Sequence, residues 1–182
     1  YRLAGAYADA EHRTTRYQKR FMRKAEIGTK VYYAGMRWMV LDKALLGCIG
    51  ELAFQQHLSN LGIPFELDHT DFQSHHTDEF DVKVNGAKID IKVAKKTTAN
   101  PPSDNWTYGY PQEQHPETKD YVVVGWVDFN RKEVGFYGWI RGEQIVRFKV
   151  VTRNSYAKYP YLTPNHEFKW GCLTKDLNEI LR

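Results

Sequence analysis

Apolar positions along this chain follow three patterns in turn: helical spacing, strict alternation and a continuous run. Leu45, Cys48, Ile49, Leu52 and Leu58 recur at helical spacing. They predict a helix over about residues 42–60, with Asp42 as its N-cap and Gly62 and Pro64 ending it. Phe80-Asp81-Val82-Lys83-Val84 and Ala87-Lys88-Ile89-Asp90-Ile91-Lys92-Val93 alternate strictly on either side of Asn85-Gly86. That pattern predicts a β-hairpin with a two-residue type I′ turn. Residues 121–127 form an almost unbroken apolar run, predicting a buried strand. Residues 133–140 read as its antiparallel partner across a turn at 128–132.

The remaining stretches are less regular. Residues 97–119 carry Pro101, Pro102, Pro111 and Pro116 among Trp106, Tyr108 and Tyr110. A segment that long without a period predicts a functional loop. Residues 174–181 predict a short closing helix capped by Thr174. Near the start, Arg13, Arg16, Lys19, Arg20, Arg23 and Lys24 crowd a proline-free stretch of good helix formers, read as a basic helical arm. The chain is therefore expected to be one domain over residues 1–182. Its parts are the arm (1–40), a core (42–140) and a C-terminal extension (141–182).

The hairpin also places chemistry. A two-residue turn opposes Val84 and Ala87, so Asp81 faces Asp90. Both then lie on the same side as Lys83, Lys88 and Lys92, with Val82, Val84, Ile89, Ile91 and Val93 on the other. Directly opposed aspartates have Cβ atoms about 5 Å apart, and their like charges repel. On that reading, Asp90→Asn leaves the metal-free fold as stable as wild type or more so. A hard cation between them removes the conflict, and Mg²⁺ takes one or two carboxylates together with water and phosphate. The alternative is a solvated hairpin face on which Lys83 and Lys88 neutralise the two acids. Glu51 is a charged residue in the mostly apolar helix, flanked by Gly47 and Gly50, whose cost in a helix calls for close packing or function.

Composition narrows the field only mildly. Lys and Arg number 26 against 22 Asp and Glu, a net charge of +4, which permits a polyanionic partner without requiring one. Cys48 and Cys172 form neither a disulfide framework nor a zinc pattern, so a reducing cytoplasm is the expected setting. No apolar run is long enough to span a membrane, so no membrane partner is expected.

Glu51 on a helix, then Asp81, then Asp90-Ile91-Lys92 on a hairpin followed by two further strands, resembles the PD-(D/E)xK, or restriction-endonuclease-like, nuclease superfamily. The likeness covers about residues 42–140 and extends to Gly138-Trp139-Ile140 at a strand end. No proline precedes Asp81, and the third signature position is Asp90 where the superfamily often has Glu. The resemblance implies an α/β fold with a central mixed sheet, helices on its faces and a metal site at the sheet edge beside Glu51. It further implies Asp81, Asp90, the Ile91 carbonyl and Glu51 around Mg²⁺, with Mn²⁺ as a substitute. Lys92 would be the catalytic lysine, and Glu51, Asp81 and Asp90 would share the catalytic work with it. The implied activity is phosphodiester hydrolysis, on DNA in preference to RNA, by an endonuclease of resolvase, homing, phage or other mobile-element type. The alternative is a non-catalytic nucleic-acid-binding module of the same fold.

Candidate nucleic-acid contacts are Arg16, Lys19, Arg20 and Arg23 on the arm, Lys95 and Lys96 after the hairpin, and Trp106 and Tyr108 as stacking rings. The alternatives are a solvated helix face, a charged strand end and aromatics that pin the loop to the body. Arg147, Lys149, Arg153, Tyr156, Lys158, Tyr159 and Tyr161 extend a nucleic-acid groove or build a surface for a homodimer or larger homo-oligomer.

Overall fold

The computed structural model describes residues 33–68 and 80–182, with side chains from residue 45 onward in the first stretch. Arg16, Lys19, Arg20 and Arg23 of the basic arm lie outside the described residues. Helix α1 spans Tyr33–Asn60. It ends as expected, with Gly62 at φ +67 in the turn that follows. Asp42 lies well inside this helix, so it is not the N-cap.

Five strands make the central sheet: β1 (Glu66–Leu67), β2 (Val82–Val84), β3 (Ala87–Lys95), β5 (Tyr121–Asp128) and β6 (Glu133–Arg141). Their order is β1-β2-β3-β5-β6. The sheet is mixed: β3 runs antiparallel to β2 and parallel to β5. The hairpin has the expected register, with Val84 opposite Ala87 and Val82 opposite Ile89. Asn85 and Gly86 both take positive φ, as a type I′ turn requires. Strands β5 and β6 also pair antiparallel as expected, with a register shift at Val124/Gly125.

Helix α1 covers one face of this sheet. Ile49, Ala53, Phe54 and Leu58 pack on Val82, Val84, Ile89, Ile91 and Val93. Gly50 lets the helix come close: a Cβ there would stand 2.8 and 2.9 Å from the two Val93 methyls. Gly50→Ala should therefore destabilise the fold. Overpacking costs about 1–3 kcal/mol, against about 1 kcal/mol gained from replacing a helical glycine. Adding Val93→Ala should recover part of the loss, since neighbouring sites couple. Urea midpoints of the two single variants and the double variant measure that coupling, and strictly additive losses would deny the contact.

Among the described residues, no long helix covers the opposite face. A second, three-stranded sheet lies there, formed by β4 (Thr107–Pro111), β7 (Val150–Arg153) and β8 (Pro160–Lys169) in the order β4-β8-β7. Tyr110, Phe168 and Trp170 from this side pack on Val122, Val124 and Ile140. Helix α2 (Gly142–Ile145) is a single turn. The expected arrangement of helices on both faces is thus corrected to a helix on one and a sheet on the other. The expected 97–119 loop is likewise part strand. The closing helix, α3 (Asn178–Leu181), is shorter than predicted and has no side-chain cap. Thr174 instead bridges Trp139 on β6.

No helix among the described residues is long and apolar enough to cross a membrane.

Candidate active site

The residues singled out on the hairpin converge between the two sheets. Asp90 and Lys92 sit opposite Val122 and Val124 in the β3–β5 ladder, which puts them on the face that the second sheet covers. β3 is the middle strand of five, so the expected position at the sheet edge is corrected: Asp90 is interior, only 5% exposed. Asp81 closes the hairpin end. There the backbone bends, the Asp81 N–H donates to the Ile89 carbonyl at 3.1 Å, and the Asp81 Oδ2 accepts the Ile91 N–H at 2.6 Å. The carboxylate thereby takes up a backbone donor where the β2–β3 ladder ends.

Both oxygens of Asp90 are engaged. Lys92 Nζ donates to Oδ1 at 2.8 Å, and the Tyr110 hydroxyl donates to Oδ2 at 2.7 Å. The Lys92 ammonium also stands 5.5 Å from the Tyr110 ring centre. Tyr110 is fully buried on β4, and sequence reasoning grouped it with the loop aromatics without giving it a role. The alternation Tyr108-Gly109-Tyr110 was the available signal, because a strand there puts both rings on one face.

Electrostatics separates the two aspartates. Burial, the Asp90 charge and the Glu51 charge push the Asp81 carboxyl well above the usual range, against Lys92 and the Ile91 N–H. Burial also acts against Asp90 ionisation. Lys92, the Tyr110 hydroxyl and a hydrogen bond from Asp81 outweigh it and hold that carboxyl low. Burial would lower Lys92, but Asp90 and Asp81 reverse this and hold it firmly charged. The pair therefore favours one proton, on Asp81: two carboxylates this close, out of water, resist a double charge. Tyr108 stands within reach of the same charges, and burial pushes its hydroxyl up to about 12.

The donor chemistry suits a hard divalent cation. Two carboxylates suffice for Mg²⁺ when water and phosphate complete the shell, and the raised Asp81 marks a place short of positive charge. Glu51 lies on α1, within electrostatic reach of Asp81. Among the described residues, no three His, Cys, Asp or Glu side chains are grouped to hold a metal between them.

The other candidates divide. Lys95 is exposed, with its ammonium 5.3 Å from the Phe129 ring centre. Lys96 is buried, paired to Asp128 at 3.1 Å and donating to the Thr98 carbonyl at 2.8 Å. That pairing removes Lys96 as a phosphate contact. Trp106 packs against Trp170 with ring centres 5.0 Å apart, and Tyr108 against Phe168 at 6.0 Å. These contacts match the alternative in which the aromatics pin the segment to the body. Lys83 pairs with Glu66 at 3.6 Å, so it is not the neutraliser of the aspartates. Cys48 and Cys172 are not disulfide-bonded.

No family model, curated protein or solved structure matches this chain.

Proposed function

We propose that this protein is a metal-dependent nuclease of the restriction-endonuclease-like type, cutting phosphodiester bonds in DNA with Mg²⁺ or Mn²⁺. The observation that carries the reading is the pair of part-buried Asp81 and buried Asp90, with Lys92 on the same face. It combines two carboxylates in conflict over charge with a firmly charged lysine beside them, the arrangement that the sequence resemblance led us to expect. Structural ion pairs also perturb pKa values, so the reading stands on the combination rather than on any single shift.

Asp81 and Asp90 would hold the cation, with Glu51 and the Ile91 carbonyl joining them by the same resemblance. A bound divalent cation supplies an activated water and neutralises charge on the phosphate. The chain's own groups do the rest. The Ile91 N–H orients the Asp81 carboxylate, and Tyr110 orients that of Asp90. Lys92 brings a fixed positive charge to the phosphate as negative charge builds on its oxygens, which is worth most where water is excluded. Cytoplasmic action on phage or other mobile DNA, as one or more copies of the chain, belongs to this same proposal.

One observation favours a second reading, a non-cutting binding module. Asp90 is already satisfied by Lys92 and Tyr110, as a purely structural ion pair between two sheets would be. Supercoiled plasmid incubated with the protein in Mg²⁺, in Mn²⁺ and in EDTA separates the two. The nuclease reading expects nicked or linear product in either metal and none in EDTA. Intact plasmid throughout, with DNA still bound, selects the module.

A further inference from the structure

The turn between β7 and β8 is built with more care than its exposure requires. Asn154 is buried. Its Oδ1 accepts the backbone N–H groups of Tyr156 at 3.0 Å and Ala157 at 2.6 Å, and its Nδ2 donates to the Tyr161 hydroxyl at 2.9 Å. That hydroxyl donates to Glu167 at 2.7 Å, and Glu167 in turn accepts the Ser155 N–H. Asn154 Nδ2 also lies 3.4 Å from Thr107 Oγ1 at the start of β4, which ties the turn to the strand carrying Tyr108 and Tyr110. A closed polar network of this kind rigidifies what it supports.

What it supports is a pair of aromatic rings in water. Tyr156 is 86% exposed and Tyr159 53%. Tyr159 stands edge-on to Tyr161, with centres 5.5 Å apart. From Val146 to Tyr159 the chain carries Arg147, Lys149, Arg153 and Lys158, all exposed, and no carboxylate. Asn154 reaches Thr107 on β4, and β4 carries the Tyr110 hydroxyl that donates to Asp90, so the turn and the candidate active site share one strand.

Resting on the nuclease reading, we propose that this turn is a grip for an unpaired polynucleotide strand, carried on the same sheet as the tyrosine that binds Asp90. Bases stack on Tyr156 and Tyr159, and the basic side chains take the phosphates. Exposed rings favour a strand over a duplex because only unpaired bases offer a free face, and such stacking tolerates any sequence. The four basic side chains from Arg147 to Lys158 outnumber the one carboxylate at the turn, Glu167, which matches the charge of the backbone. The substrate class that follows is DNA with a single-stranded portion, such as a flap, a gap or a frayed end.

Fluorescence anisotropy in EDTA, with the full chain and a labelled oligothymidine, reads the grip without cleavage. Wild type should bind the single strand more tightly than a duplex of equal length. Tyr156→Ala and Tyr159→Ala should each weaken it about tenfold, while Tyr156→Phe and Tyr159→Phe keep the affinity. Arg153→Gln and Lys158→Gln should each flatten the slope of log affinity against log salt by about 0.7. Alanine variants that bind as wild type does, or a duplex preferred over the strand, would overturn the grip. So would a dimer in light scattering that the alanine variants dissolve, since the rings would then serve a second copy of the chain. The two readings fail separately: tyrosine-dependent binding without cleavage in Mg²⁺ removes the nuclease, whereas cleavage with tyrosine-independent binding removes the grip.

Discussion

Replacing Lys92 with alanine is expected to lower plasmid cleavage by about 10²–10⁴-fold, the range for loss of a positioned acid–base or charge-stabilising group. Affinity for DNA in EDTA should change little, because Lys92 is one charge set between the two sheets. Its ammonium is also the ion-pair partner of Asp90 at 2.8 Å, so the variant has a structural cost as well. Removing one member of a buried pair typically destabilises by about 3–5 kcal/mol. Cleavage must therefore be measured well below the melting temperature of the variant, with circular dichroism confirming the fold. A folded Lys92→Ala protein that turns over normally would end the catalytic assignment.

The second large effect is an asymmetry between the aspartates. If the two acids simply repelled, Asp90→Asn would leave the metal-free protein as stable as wild type or more so. The structure reverses that expectation. Asp90→Asn takes the counter-charge from the half-buried Lys92 and weakens the Tyr110 hydrogen bond, so the metal-free protein should lose up to about 3–5 kcal/mol, the cost of breaking a fully buried pair. Asp81→Asn removes a carboxyl that burial and Asp90 already oppose, and its amide oxygen can still accept the Ile91 N–H. That variant should melt at or above the wild-type temperature in EDTA. Metal inverts the order for Asp81. A ligand that binds only the folded state adds about 2.7 kcal/mol at a hundredfold excess over Kd. Wild type should gain that from Mn²⁺, and both Asn variants should gain much less. Melts of the three proteins in EDTA and in Mn²⁺ test this, and equal Mn²⁺ responses would dismiss the aspartates as ligands.

These predictions show what was legible in the chain and what was not. The hairpin was legible because its determinants are local: Asn85-Gly86 sets the turn, and alternation sets the register. The register from Val82 to Ile89 followed from that alone, whereas Asp81 lies past the last ladder pair, where the chain bends. The burial of Asp90 did not follow. Alternation normally signals a solvated polar face, but β3 lies in the middle of a mixed sheet that is covered on both sides. The second sheet was missed because its pairing is non-local and two of its strands are interrupted by glycine and proline. β4 is Thr-Tyr-Gly-Tyr-Pro, and β8 begins at Pro160 and carries Pro164 near the step where its register with β7 shifts. Sheet propensity is largely a matter of packing context, which a single segment does not display. Lys96 was misread for a similar reason. Its partner, Asp128, lies at the end of β5, brought alongside by the parallel pairing of Lys95 with Val127.

The hydroxyl that steadies Asp90 comes from β4, and β4 is held in place by β8, whose first residue is Pro160. Chains emerge from the ribosome N-terminus first and fold domain by domain. The acids and the lysine therefore leave the ribosome long before the strand that completes their surroundings. Throughout that interval the hairpin residues lack the second sheet that covers them. On the nuclease reading, a half-made copy has the aspartates and Lys92 but not the dry, fixed geometry that would let them act, so cleavage is expected only once β8 is in place.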